Sequence, residues 1–449
     1  MAAPSAGLTA SSSYSNGAKP SAMPMVGSGW WNGLGSADLN ALIDGLIASN
    51  PDIAAASLRV LQSELELGNI RSQRLPTATA SASSTGTAAA GPAGDRSTDA
   101  TGDLAAGVRW EADLWGRIAR EGDRAAALLL ATSYDREALA NSLIANVIRA
   151  YISVTFDRRE IVATRRIIDS RRTSLAITQD RFGLGVDGTT AGTVKSAEEN
   201  LAAARAELPR LELSLIENVN ALDALSGGVP RSRISVSASL PRNLPPLNAT
   251  TGTPVQLLDR RPDIQAAAAR LAAANANIGV SVADRFPTLT LNGSLRSGGG
   301  GLGDILDIDN VIASLTAELL LTVFDGGRGS RLVAIRKAEA EELAHSYVST
   351  VLAAIREVED GLSGERLLAE RARLLTVRLS AARQATRIAS DRYRDGTGTY
   401  LTLLDSSRSE ANAETAYLNV ERARWINRVD LMLALGGRWS APSIAGGPA

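Results

Sequence analysis

Residues 285–296 read RFPTLTLNGSLR, and after Pro287 the chain alternates without a break. Leu289, Leu291, Gly293 and Leu295 fall on one side, while Thr288, Thr290, Asn292, Ser294 and Arg296 fall on the other, because successive strand residues face opposite sides of a sheet. A glycine-rich loop at 297–303 follows. Ala313, Leu315, Ala317, Leu319, Leu321 and Val323 then alternate with Ser314, Thr316, Glu318, Leu320 and Thr322. The pattern predicts strands over 286–296 and 311–324, apolar on one face and polar or charged on the other. Segments of about ten residues of this kind suit a membrane barrel with lipid outside and water inside. A sheet half-covered by helices has the same alternation. What flanks the strands decides between the two.

The flanks are repeated. The second half of the chain echoes the first at a constant offset of 211 residues. PDIAAASLR from Pro51 returns as PDIQAAAAR from Pro262, and RLPTATASAS from Arg74 returns as RFPTLTLNGS from Arg285. Arg117 and Arg120 fall on Arg328 and Arg331. DRFGLG from Asp180 falls on DRYRDG from Asp391. Between 50–83 and 261–294, 12 of 34 positions are identical without a gap. A repeat this long marks a duplicated architecture. Each copy reads helix, strand, loop, strand, long helix, tight turn, long helix. The expected plan is an N-terminal extended segment 1–37 and a first repeat 38–227, with strands near 75–84 and 103–115 and long helices near 117–181 and 190–226. A linker 228–250 leads to a second repeat 251–437, with strands 286–296 and 311–324 and helices near 329–393 and 400–435. A tail covers 438–449. The first copy alternates more weakly, Ala78, Ala80 and Ala82 against Thr77, Thr79, Ser81 and Ser83.

The helices are rods. From Asp123 to Phe182 there is no Gly and no Pro, and Val147, Val154, Ile161, Ile168, Leu175 and Phe182 recur every seven residues. A sustained heptad line is the mark of a supercoiled helix packed on neighbours. Gly183, Gly185 and Gly188 have the G-x-G-x-x-G spacing of a dinucleotide loop, but that loop must follow a strand, and helix precedes it here. The counterpart RYRDGTGTYLTLLD from Arg392 lacks the fingerprint, and only Gly185, matched by Gly396, is shared. These glycines are turn chemistry between two long helices.

Composition excludes most other functions. The chain of 449 residues has no Cys, one His, 4% aromatics and a formal charge of −1. Disulfides, thiolate sites, two-His metal sites and His-based triads are therefore not available, and nothing points to nucleic acid. His345 and the neighbouring Glu341 and Glu342 read as residues on helix faces. No Walker-type loop or H-E-x-x-H occurs. Catalytic residues, cofactor and metal are expected to be none. No stretch approaches the roughly 20 apolar residues of a spanning helix, and residues 1–37 lack the apolar run of a signal peptide, so the chain reads as soluble or as a mature form. If the strands span a membrane, four cannot close a barrel, because small barrels need about eight and open edges are not tolerated in lipid. Several chains must then share one barrel.

Four segments carry a family resemblance: LLDRRPDIQAAAARLAAANANIG from Leu257, WEADLWGR from Trp110, FDGGR from Phe324 and RYRDGTGTYLTLLD from Arg392. Together they resemble the TolC-like outer-membrane efflux proteins, in the NodT-type branch serving resistance–nodulation–division pumps, from about Ala37 to Trp439. The resemblance implies a mixed α and β membrane protein of two tandem structural repeats. It would be a homotrimer sharing a 12-stranded transmembrane β-barrel and a long α-helical coiled-coil tunnel. It implies a Gram-negative outer membrane, a tunnel into the periplasm, a periplasmic adaptor (membrane fusion) protein, an inner-membrane pump, and passive export of small molecules such as drugs, toxic compounds or metal ions. The turns 182–190 and 393–401 become periplasmic tips, with Gly183, Leu184, Gly185, Val186, Asp187, Gly188, Asp395, Gly396, Thr397 and Gly398 against the adaptor. The gate acids of the family align with Thr402 and Asp405. Asp405 fits, and Thr402 departs from the two-aspartate form. Tyr393 matches a latch tyrosine, and Gly398 stands where some members carry a tip arginine. Many relatives of the branch begin with a lipidated cysteine; here that anchor is absent or lies outside this chain. Two alternatives remain at this point, the duct of a type I protein-secretion system and a soluble coiled-coil scaffold.

Overall fold

Pro76 and Pro287 each stand just before a strand, where their missing N–H interrupts no ladder. The structure, a computed structural model, describes residues 29–90, 96–228, 240–241, 243–246, 258–300 and 307–437. Its elements are α1 Ala37–Ser49, α2 Pro51–Ser72, β1 Thr77–Ala90, β2 Arg96–Ala112, α3 Arg117–Gly183, α4 Ala191–Leu225, α5 Pro262–Ala283, β3 Thr288–Gly299, β4 Ile312–Leu320, α6 Arg328–Arg394 and α7 Tyr400–Ala434. The first 28 residues, most of the expected linker, the centre of the loop after β3 and the tail from 438 lie outside the described residues. The chain forms two compact units, and each takes segments from both halves of the sequence.

The first unit holds 57–134 and 265–350 and contains the sheet. Its four strands lie in the order β1-β2-β3-β4, every neighbour antiparallel, with β1 and β4 at open edges. Strand ends differ from the expected ones. β1 runs on from residue 84 to Ala90, because β2 begins at Arg96 and supplies partners throughout. The alternation ends at the Ser-Ser-Thr-Gly run of residues 83–86, where the apolar face fades. β4 stops at Leu320 instead of 324, because Thr288, its partner, is the first residue of β3. Each sheet-to-helix corner is fixed by an aspartate. Asp113 accepts from Ile118 N and Ala119 N at 3.0 and 2.8 Å at the start of α3. Asp325 accepts from Gly327 N and Gly329 N at 2.7 and 2.6 Å before α6. Both carboxylates occupy the orphan donors that every helix start exposes. Backbone N–H groups hold the Asp325 carboxyl below the usual range.

The second unit holds 135–264 and 351–437 with the described residues before 57. Its main core joins Leu39, Ile43 and Leu46 of α1 to Ile144, Ile148, Tyr151 and Ile152 of α3 and Trp425 and Val429 of α7. The heptad line behaves as expected near this core: Val147, Val154, Ile161 and Ile168 are buried, and Phe182 near the helix end is exposed. One stretch of α3 is apolar enough to cross a membrane by length and composition, a point at which the sequence reading fell short, but two-thirds of it is buried in this packing. Gly361 and Gly364 let α6 and α7 approach closely. A Cβ at Gly364 would overlap the Asn427 side chain, whose Nδ2 donates to Gly361 O at 3.0 Å. Charges buried here are paired, as burial requires. Asp157 accepts from Arg422 at 2.7 Å and from Asn218 at 2.7 Å, and Arg428 grips Glu365 with two contacts of 2.8 Å.

Candidate functional site

Paired residues of an antiparallel ladder point to the same side, so the registers assign both faces of the sheet. Leu289, Leu291, Gly293 and Leu295 pair with Leu319, Ala317, Leu315 and Ala313 on one side and with Ala112, Trp110, Val108 and Ala106 on the other. Val108 and Ala106 continue to Ala78 and Ala80. One face is thus apolar across all four strands. Among the described residues nothing in the unit covers it: Leu295 is 52%, Leu315 83% and Leu319 64% exposed. The opposite face carries Thr77 and Thr79, Arg109 and Glu111, Thr290 and Asn292, then Thr316 and Glu318. Polar groups bond across it, Ser294 Oγ to Ser314 Oγ at 2.8 Å and Arg296 to Asp103 at 3.2 Å. A covered sheet would hide its apolar side. This one leaves its apolar side open.

At the helix end of the sheet, Trp115 stacks on Phe286 with centroids 4.9 Å apart, and both remain about half exposed. Trp115 Nε1 donates to Pro287 O at 2.8 Å and Trp110 Nε1 to Arg74 O at 2.9 Å. Rings with an apolar body and an anchored polar tip suit a membrane boundary. Pattern reading placed Trp110 on a strand but assigned neither tryptophan this position; two aromatics flanking strand ends were the available signal.

In the second unit the long helices end in two matching turns. Val186 N reaches Arg181 O at 3.0 Å and Thr397 N reaches Arg392 O at 2.9 Å, with Gly185 and Gly396 left-handed at φ 64° and 80°. This is the glycine-terminated helix end that an L side chain resists. Thr190 and Thr399 cap the return helices. In the first turn Leu184 is 80% exposed, and Asp187, Gly188 and Asp395 are exposed as well, with Val186 half-buried. Gly398 cannot carry a side chain without movement, since a Cβ would sit 3.0 Å from Arg392 Cβ and 3.1 Å from Tyr393 N.

The aligned gate residues separate into two kinds. Tyr393 is buried at 2% exposure. Its hydroxyl lies 3.0 Å from Thr178 Oγ1, Arg181 covers its ring at 4.7 Å, and Tyr400 meets it edge-on at 5.9 Å. It therefore ties α6 to α3. Thr178 and Arg181 were not legible as its partners, because the contact spans 215 residues. Thr402 spends its backbone N–H on Thr399 Oγ1 at 3.3 Å, with its hydroxyl 3.0 Å from the same oxygen. Asp405 is exposed on the side of α7 away from buried Leu403, with no hydrogen bond or ion pair among the described residues. One turn on, Arg408 reaches Asn200 Oδ1 at 3.0 Å, joining α7 to α4.

A sheet with one lipid-suited face and one watery face, carried by heptad helices, defines a membrane channel with a helical tunnel. The chain belongs to the outer membrane efflux protein family, whose model matches residues 42–228 and 253–437, in the branch serving resistance–nodulation–division pumps. It is 30% identical over 425 residues to outer membrane protein OprJ of Pseudomonas aeruginosa, covering 91% of this chain and 86% of that one. It is 30% identical over 420 residues to the pyoverdine export outer membrane protein OpmQ of the same organism, covering 92% and 88%. The solved outer-membrane channel OprN superposes with a TM-score of 0.88 at 30% identity, over 97% of this chain and 98% of that one. The protein is an outer-membrane channel component of an efflux pump in a Gram-negative bacterium, with its tunnel extending into the periplasm. The soluble-scaffold alternative fails on the family match.

Proposed function

We propose that three copies join their sheets into one twelve-stranded barrel and their helices into one tunnel, which passes small molecules outward without chemistry. The observation that carries this reading is the two-faced sheet with open edges at β1 and β4. Strands in lipid must have every backbone group paired, so both edges need partners from other copies. The apolar face then meets lipid, and Arg109, Glu111, Asn292 and Glu318 line the water-filled side. The turns 182–190 and 393–401 receive the periplasmic adaptor, which the pump of the inner membrane drives. Asp405, Thr402 and Tyr393 form the periplasmic gate. Tyr393 holds α6 against α3, and three Asp405 carboxylates around the axis favour cations over anions. Purified protein in a planar bilayer is expected to open ion-conducting steps, and deleting its gene to raise the intracellular level of the exported compounds. A protein that conducts nothing, with export unchanged in the deletion strain, would overturn the proposal.

A further inference from the structure

The run FDGGR from Phe324 turns the chain from β4 into α6, and its counterpart in the first repeat is DLWGR from Asp113. The corner is thus built twice, but with different charges. Residues 110–123 hold two arginines and four acids, whereas 321–334, which lie 211 positions on, hold two arginines and one acid. In the first corner Arg117 pairs with Glu111 at 2.9 Å and Arg120 with Asp123 at 3.4 Å. Thr322 and Ala334 stand where those two acids would, so the matching Arg328 and Arg331 have neither partner. The remaining acid, Asp325, spends its oxygens on Gly327 N and Gly329 N.

A third arginine joins them from beyond the end of α5. A Cβ at Gly329 would meet Arg285 Cγ at 3.4 Å, and one at Gly327 would meet Arg331 Nη1 at 3.2 Å, so both side chains lie against one glycine turn. Arg285, Arg328 and Arg331 are exposed, and among the described residues none of them makes an ion pair or a side-chain hydrogen bond. Like charges gathered on one turn repel one another until an anion joins them.

Apolar side chains flank the arginines. Val323 and Phe324 are 90% and 88% exposed. Phe286, the neighbour of Arg285, stacks on Trp115 at the helix end of the sheet. Exposed apolar groups beside uncompensated cations mark a place where hydrocarbon and a negative charge meet the protein together. A phospholipid offers both.

We propose that this corner binds an anionic phospholipid of the periplasmic leaflet, with Arg285, Arg328 and Arg331 on the headgroup phosphate and Val323 and Phe324 against the acyl chains. The inference rests on the barrel reading above, which sets the strand-to-helix corner at the water boundary on the periplasmic side. Guanidinium forks match phosphate oxygens, which accept paired N–H bonds. A free anion would engage the arginines alone and leave the apolar pair in water. In the first corner Arg117 and Arg120 are paired with acids of their own, so each chain takes one such lipid.

Native mass spectra of the detergent-solubilised protein test this, recorded with added phosphatidylglycerol, phosphatidylcholine or inorganic phosphate. Phosphatidylglycerol is expected to stay bound and to saturate at one per chain. Phosphatidylcholine, whose choline cancels the phosphate charge, is expected to be lost, and inorganic phosphate should not displace the anionic lipid. Arg285→Gln combined with Arg331→Gln should weaken binding about five-fold for each arginine removed. Arg366→Gln, which removes an exposed arginine of the second unit, should leave it unchanged. Equal retention of the two lipids by the unaltered protein overturns the site and leaves the barrel standing, as does full retention by the double variant. Displacement by inorganic phosphate assigns the arginines to a free anion and overturns the lipid. A chain that never enters the membrane fraction overturns the barrel reading and the lipid site with it.

Discussion

Tyr393 and Asp405 stand twelve residues apart and differ in everything the sequence leaves unstated. Tyr393 is tied to Thr178 and Arg181 of a distant helix, whereas Asp405 faces open space. Tyr393→Phe keeps the packing and loses one buried hydrogen bond, a loss of about 1 kcal/mol. The expected result is a channel that assembles normally and opens more often in bilayer recordings; unchanged opening would assign the tyrosine to packing alone. Asp405→Ala should leave assembly intact and weaken cation preference, while Asp187→Ala in the first turn changes it much less. If both variants select ions as the parent does, the gate lies elsewhere. Glu160 offers a pH test. Burial pushes its carboxyl up, against the pull of Arg422 and Arg210 and with help from Asp157 and Glu207. An acid whose folded value lies above its unfolded one weakens the fold once ionised. The penalty is absent below the unfolded value of about 4.3 and grows as pH rises through the folded one. Glu160→Gln should therefore raise the melting temperature at neutral pH and match the parent near pH 4 or below. The opposite trend would mean that the Arg422 contact outweighs burial.

Elements were legible where one period dominates. The heptad line of α3 marked a rod whose end, Gly183, lies within two residues of the expected one, since neither Gly nor Pro interrupts it from Asp123 to Phe182. The alternation of β3 and β4 fixed which residues share a face, and the ladder pairs them so. Strand length was not legible, because it depends on what the neighbour offers: β1 gains residues from a long β2, and β4 loses them at Pro287. The face assignment has a direct consequence. Leu319 is on the apolar side, paired with Leu289, and Thr316 on the polar side, paired with Asn292. An arginine toward mid-bilayer lipid costs roughly 2–4 kcal/mol, whereas one toward the lumen stays hydrated. Leu319→Arg should reduce folded protein in the outer membrane, and Thr316→Arg should not. Equal membrane levels of the two would mean that the faces are reversed.

At the scale of the molecule, the duplication explains why the sheet is built as it is. Each repeat supplies one hairpin, and β2 pairs with β3 to join them, so a single chain presents an even number of strands. The consequence concerns closure. With four antiparallel strands, β1 and β4 run in opposite directions, so β4 of one copy meets β1 of the next antiparallel for any number of copies. Every seam of the ring then repeats the hydrogen-bond pattern found within the chain. What the sequence left unread was the number of copies, because alternation gives the faces of a strand and nothing of the curvature that closes a barrel. Eight strands from two copies would be filled by side chains, while a larger ring leaves a lumen. Conduction therefore favours more than two copies, and three give twelve strands. Detergent-solubilised protein is expected to run at the mass of three 46.8 kDa chains and to fall to one after denaturation. A dimer would leave no lumen, and a stable monomer would leave two sheet edges open in lipid; either result rules out the shared barrel.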